Sequence, residues 1–234
     1  MSGHILLIGG GEISKGETKI IDDKLKSLVP PASKFLFFPT AAGDSEGYIQ
    51  TIEQVFGDTF EVVSVTEAQG REYAIKQLQT AQAVYLGGGR TELLLDLFEK
   101  WELTASLKEL LNRGGVVAGI SAGAQALSAA YTDFDEKGSM ETKTGWNFSE
   151  VYCIVHAKEG QIVKAFDVYQ KSGKRADIPF IAIGERAAWH IYDGGTEKIG
   201  EGAAWFTPGG AEAVPMALRG FRIIAPVFDL GRGV

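Results

Sequence analysis

Six short apolar runs recur along the chain, each followed by a longer segment with helical spacing, and this alternation constrains the fold more than any other feature. "HILLIG" precedes residues 17–29, "KFLFFPT" precedes 45–56 and "EVVSV" precedes 71–80. "AVYLGG" then precedes 91–112, "GVVAGI" precedes 121–130 and "YCIVHA" precedes a helix placed near 159–171. Strand followed by helix, repeated, implies βαβ units and a mainly parallel sheet flanked by helices. The runs are nearly continuous in Val, Ile, Leu and Phe, as strands covered on both faces must be.

After "DIPFIAIGE" the helical segments stop, and "AAWHIYDG", "EGAAWFTPGG" and "FRIIAPVF" are separated by glycine-rich turns. These read as C-terminal antiparallel hairpins. No internal repeat or linker divides the chain, so one α/β domain over residues 1–234 is expected, a length that can bury a large core. Residues 132–150, "TDFDEKGSMETKTGWNFSE", read as a long polar loop beside the strand ends.

Charge removes several function classes. A net charge of −7 argues against nucleic acid as a partner, because phosphate binding needs clustered Lys and Arg. No segment approaches the apolar length that spans a bilayer, and the start of the chain lacks a basic leader region, so a cytoplasmic protein with no membrane partner is expected. Cys153 is the sole cysteine, and its setting in "VYCIV" favours a buried structural thiol. Three histidines and one cysteine, scattered at positions 4, 153, 156 and 190, give no metal-ligand spacing. Neither a metal nor an organic cofactor is expected.

The chemistry-bearing stretch is "GVVAGISAGAQAL", in which Gly119-Ile120-Ser121-Ala122-Gly123 fits the G-x-S-x-G turn of a nucleophilic serine. A chain with 30 glycines meets that pattern too easily for it to stand alone. Its context is better evidence, since the serine follows a β-branched run and precedes an Ala-rich helix former. The competing reading is a set of small residues packing a crowded crossover. If the serine reacts, the helix starting beside it offers Ala122 N–H to an oxyanion. The glycine-rich "YLGGGRTELLLDLF" could give a second donor from a neighbouring loop, or could be only a flexible connection. Neither it nor "GGGEIS" at 9–14 has a phosphate-binding pattern.

Three histidines compete for the role of base. His4 begins the first strand, at the wrong end of a parallel sheet. His156 ends "VYCIVHA", at the favoured end, while His190 lies in the alternating strand "AAWHIYD" as an outward-facing polar residue. Glu185, after "PFIAIG", could orient His156, or could be a solvated loop glutamate. The chain order of an α/β-hydrolase would instead select Ser121, Asp167 and His190, with the acid on a helix and the base inside a strand.

Together these segments resemble the serine peptidase family of dipeptidase E and the cyanophycinases, from "LLIGGGE" through "GGVVAGISAGAQAL" to "IVHAKEG" and "IAIGERAAWHI". The resemblance implies a flavodoxin-like, class I glutamine amidotransferase-like fold and a catalytic set of Ser121, His156 and Glu185. It also implies oxyanion donors at Gly89 and Ala122, with Gly88 and Arg90 beside the substrate. Dipeptidase E has a "GETR"-like stretch, whose arginine recognises an aspartyl carboxylate, shortly after its histidine. Here "HAKEGQIVKAFDVYQKSGKR" has no arginine before Arg175.

The expected activity is hydrolysis of a peptide or isopeptide amide in small peptides through an acyl-enzyme on Ser121. The alternative is a non-catalytic protein that keeps an amidotransferase-like pocket for a small ligand. A homodimer is the expected assembly.

Overall fold

The computed structural model describes residues 3–134, 139–173, 177–209, 216–218 and 222–223. Its central sheet has five parallel strands: β1 (His4–Ile8), β2 (Lys34–Phe38), β3 (Glu61–Ser64), β4 (Ala83–Leu86) and β5 (Val116–Ile120). They lie in the order β1-β5-β4-β2-β3. The alternation along each strand divides the core. Leu6, Ile8, Phe35, Phe37 and Ala118 face α1 (Lys19–Leu28) and α2 (Glu46–Phe56). Ile5, Leu7, Leu36, Phe38 and Val117 face α3 (Gly70–Thr80), α4 (Thr91–Lys100), α5 (Thr104–Asn112) and α6 (Ala122–Leu127). Both faces are therefore dry over β1, β2, β4 and β5, which is why those strands carry so few polar residues, while β3 at the edge is partly exposed.

The helical pattern over 91–112 is two helices. They part at Trp101–Leu103, where Glu102 takes a left-handed φ of 54°. The expected helix over 121–130 ends at Leu127, and the chain enters β6 (Ser128–Phe134) directly.

A second sheet takes two strands from what reads in the sequence as the end of a helix and a polar loop, and two from the apolar runs "YCIVHA" and "PFIAIG". β6 pairs antiparallel with β7 (Met140–Thr144) and parallel with β8 (Ser149–Ile154), which pairs parallel with β9 (Phe180–Ile183). One face packs Ala130, Tyr152 and Phe180 under α7 (Glu159–Gln170) through Ile162, Phe166 and Tyr169. The other sends Val151, Cys153, Ile181 and Ile183 into the core of the first sheet. Cys153 is fully buried, and burial pushes its thiol up to about 12.

The C-terminal strands are antiparallel, divided between the sheets. β10 (Ala187–Tyr192) and β11 (Gly195–Gly200) form a hairpin beside β1, and β14 (Arg222–Ile223) extends it. β12 (Ala204–Thr207) crosses to pair with β9, followed by β13 (Met216–Leu218). Most of "FRIIAPVF" lies outside the described residues, as does Arg175. Among the described residues, no helix is long and apolar enough to cross a membrane, and no group of His, Cys, Asp or Glu is arranged to hold a metal.

Candidate active site

Parallel register brings three loops to one end of the central sheet. β5 lies between β1 and β4, with Ile8 opposite Ile120 and Leu86 opposite Gly119. The residues that follow these strands, Gly9–Gly11, Gly87–Gly89 and Ser121, therefore emerge side by side. A cleft of about 390 Å³ opens there, its wall formed by Gly10, Gly11, Tyr48, Gly88, Gly89, Ile120, Ser121 and His156. Among the described residues, no lysine or arginine is in that lining.

Ser121 sits on a sharp turn, with φ 51° and ψ −107°, a backbone shape that costs free energy outside glycine. Its N–H donates to Ile8 O at 2.9 Å, and its carbonyl accepts from Gln125 N–H at 3.0 Å. The glycines two residues either side exist for close approach. A side chain at Gly119 would overlap the backbone of Gly123, and one at Gly123 would overlap Leu86 of β4. Small residues thus let α6 lie directly across β5 and β4, and Ser121 is held where strand turns into helix. Ala122 is the first residue of α6, where a backbone N–H has no carbonyl one turn earlier. With six residues α6 has little macrodipole, so any anion attraction there comes from individual N–H groups.

His156 and Glu185 arrive from the second sheet, two residues beyond β8 and two beyond β9. That differs from the sequence reading, which places every member at the edge of one sheet. The glycine-rich segment after β1 connects them. His156 N–H donates to Gly9 O at 3.0 Å and Arg186 N–H to Gly10 O at 2.9 Å, while Ala157 N–H ties the loop to Ile183 O. His156 and Arg186 both take positive φ, 52° and 58°.

The side chains form a continuous row. Ser121 Oγ lies 2.7 Å from His156 Nε2, and His156 Nδ1 lies 2.6 Å from Glu185 Oε1. Glu185 as a carboxylate can only accept, so Nδ1 carries the proton and Nε2 presents a lone pair to the serine hydroxyl. The row is open to solvent, with the His156 and Glu185 side chains each 49% exposed.

Two residues of this site carry no signal that the sequence reading used. A side chain at Gly10 would overlap Glu185 Oε2 and press on His156 Nδ1, so the histidine–glutamate pair requires a bare backbone there. Tyr48, from α2, contributes the aromatic wall of the cleft and accepts Gly88 N–H at 3.3 Å. The "GGGE" stretch, unremarkable as a phosphate motif, is what joins the loops.

Gly88 and Gly89 line the cleft, with Gly88 packed beside Ser121. Arg90 does not line it. It caps α4 as an exposed residue near Glu92, whose carboxyl is held below its usual range chiefly by the Lys143 ammonium, with the Arg90 charge adding least. The alternative set is not assembled: Asp167 is exposed on α7, and His190 hydrogen-bonds elsewhere. Nor does His190 face solvent, because α1 covers its side of β10, and the residue is 2% exposed.

Comparison with known proteins gives a concordant picture. The model of peptidase family S51 matches residues 5–199. A protein named uncharacterized peptidase YgaJ, from Bacillus subtilis strain 168, is 34% identical over 127 residues, 52% of this chain and 54% of that protein. Peptidase E of Shewanella denitrificans is 28% identical over 102 residues, 42% of each. The matches thus span about half the length of these curated relatives. Among solved structures, a peptidase from an acI-B1 Actinobacterium superposes with a TM-score of 0.69 at 23% identity, covering 95% of this chain and 96% of that one. A putative peptidase E protein from Listeria monocytogenes EGD-e gives 0.64 at 14% identity, over 86% and 100%. At these identities the likeness concerns the fold.

Proposed function

The chain belongs to peptidase family S51, and from that membership together with the row Ser121–His156–Glu185 we propose that it is a serine peptidase. Its reaction is hydrolysis of a peptide or isopeptide amide in small peptides, through an acyl-enzyme on Ser121. The observation that carries this reading is the pair of contacts at 2.7 and 2.6 Å, which present a serine hydroxyl to the free lone pair of an oriented imidazole.

Each residue has a defined part. Ser121 Oγ attacks the substrate carbonyl as His156 Nε2 takes its proton, and Glu185 stays ionised beside the imidazolium. The negative charge that develops on the carbonyl oxygen is met by the N–H groups of Gly89 and Ala122. One such donor contributes about 3–4 kcal/mol to the barrier in other hydrolases. His156 then protonates the leaving amine, the carbon–nitrogen bond breaks, and the acyl group remains on Ser121. Water, deprotonated by the same imidazole, releases the acid and restores the hydroxyl.

Gly88 and Arg90 belong to the substrate side of this proposal, Gly88 at the cleft and Arg90 at its approach. Among the described residues, no lysine or arginine lines the cleft, so aspartyl specificity gains no support from them. A panel of dipeptides that varies the first residue, including aspartyl and isoaspartyl members, tests the reading. Release of amino acids by the wild type, and its loss of more than about 10³-fold in Ser121→Ala with an unchanged melting curve, is expected. Equal turnover by the two proteins contradicts it. A protein that only binds a small amide would release nothing, yet would melt later with ligand present.

A further inference from the structure

Beside Ser121, the Gly88–Gly89 peptide is held from both sides by one segment of chain, Ala41 to Tyr48, whose tyrosine also walls the cleft. On the near side, Gly88 N–H donates to the Tyr48 hydroxyl at 3.3 Å. On the far side, Arg90 N–H donates to Ala41 O at 2.8 Å, and a side chain at Gly89 would overlap that same carbonyl. Gly87 N–H is fixed to Phe38 O at 3.0 Å. Of the N–H groups from 87 to 90, three thus have partners, and the remaining one is Gly89's, on a residue that lines the cleft.

We propose that Tyr48 is a positioning residue for the oxyanion hole, its hydroxyl occupying Gly88 N–H and so aiming the next peptide's N–H, that of Gly89, at the reacting carbonyl. This rests on the serine peptidase reading above.

The physical case is one of restraint. A glycine-rich loop has more backbone freedom than any other, and a donor contributes to catalysis only if it is aimed before charge develops. The Tyr48 ring is itself held edge-on to Phe37, with centroids 4.9 Å apart, so the hydroxyl is fixed by a rigid strand beneath it. Burial pushes the phenol up to about 12, with the Glu12 charge acting in the same direction, so the group is neutral at any working pH. A neutral hydroxyl can accept from Gly88 without bringing a negative charge next to the developing oxyanion. The 3.3 Å separation is long for such a bond, as catalytic contacts often are before a substrate binds.

The test is the rate of covalent labelling by a fluorophosphonate, separated into kinact and KI, for wild type, Tyr48→Phe and Thr51→Ala. Tyr48→Phe keeps the ring against Phe37 and removes only the oxygen. Thr51, one turn along α2, bonds to Gly47 O and serves as the control. Expected for Tyr48→Phe is a kinact lower by about 10-fold or more, with KI within about twofold and an unchanged melting temperature, since displacing a reacting contact can cost up to about 10²-fold. Thr51→Ala should match the wild type. A kinact within about twofold of wild type in folded Tyr48→Phe would overturn the inference, as would a loss confined to KI, which would make Tyr48 a substrate contact. Failure of the wild type itself to label would overturn the peptidase reading, and this inference with it.

Discussion

The described residues include two histidine–glutamate pairs, and they differ in everything except chemistry. His156 and Glu185 meet at 2.6 Å on loops at the cleft, each side chain about half exposed. His190 and Glu197 meet at 2.9 Å across the β10–β11 hairpin, with the imidazole 2% exposed under α1. The second nitrogen separates them. In the first pair it faces the Ser121 hydroxyl; in the second it faces Nδ1 of His4 at 2.9 Å, with Tyr192 tilted against the ring and Lys24 of α1 bonded to Glu197. A histidine oriented by a carboxylate is therefore no marker of a reactive site by itself. What the imidazole presents its free lone pair to, and whether a substrate can reach it, makes the difference.

The largest effect that would break this contrast comes from exchanging the histidines one at a time. His156→Gln is expected to lower dipeptide turnover by about 10⁴-fold or more without unfolding the protein, and His190→Gln to leave it within a few-fold. The reverse order in steady-state assays would transfer the base to the buried pair. Next in size is Glu185→Gln, which keeps the shape of the side chain but loses the charge that fixes the imidazole tautomer. A fall in kcat of about 10²–10⁴-fold is expected, with KM little changed. Full activity in that variant would leave Glu185 as a solvated loop residue.

Gly10→Ala sharpens the geometric side of the contrast. Its added methyl group would enter the space of Glu185 Oε2 and His156 Nδ1, and a displacement of about 1 Å should cost about 10²-fold in kcat while circular dichroism stays native. Wild-type kinetics there would mean that the loops move apart freely and the pair is not built to tolerance.

The smallest effect belongs to the buried pair and concerns stability. Burial lowers the His190 imidazolium to about 4 from 6.5, chiefly by desolvation, with His4 and Lys24 acting in the same direction and Glu197 opposing. Between those values the unfolded chain binds a proton that the folded chain refuses. Stability is therefore full above pH 6.5 and declines as the pH falls toward 4, by about 3 kcal/mol at most from this group. His190→Gln should flatten that part of the stability curve measured by urea denaturation, and an unchanged slope would remove His190 from the acid response.

What the sequence displays and what it hides follow from packing. Four of the five parallel strands are legible because both of their faces are dry and the chain spells them as nearly unbroken apolar runs; β3, at the edge and partly exposed, shows by its Val-rich "EVVSV". Ser121 is legible because Gly119 and Gly123 must be small for α6 to cross two strands. The second sheet is half hidden: β8 and β9 show as apolar runs, but β6, "SAAYTDF", begins in an Ala-rich stretch that propensity extends as helix, and β7, "METKT", is too polar to be read as a strand. The burial of His190 is hidden for a related reason: alternation places it away from Trp189, but only the tertiary fold puts α1 over that face. Gly10 and Tyr48 escape notice because nothing local distinguishes a glycine under a histidine–glutamate pair from a glycine in a turn, or a cleft tyrosine from a core one.

The central claim is that the Ser121 hydroxyl is the nucleophile that His156 activates. Its most direct test is peptide mapping by mass spectrometry after treatment with a fluorophosphonate, on wild type and His156→Gln. One phosphonyl adduct on the peptide carrying Ser121 is expected in the wild type, and almost none in the variant at the same exposure time. An adduct on a different residue, or equal modification of Ser121 in both proteins, would contradict it.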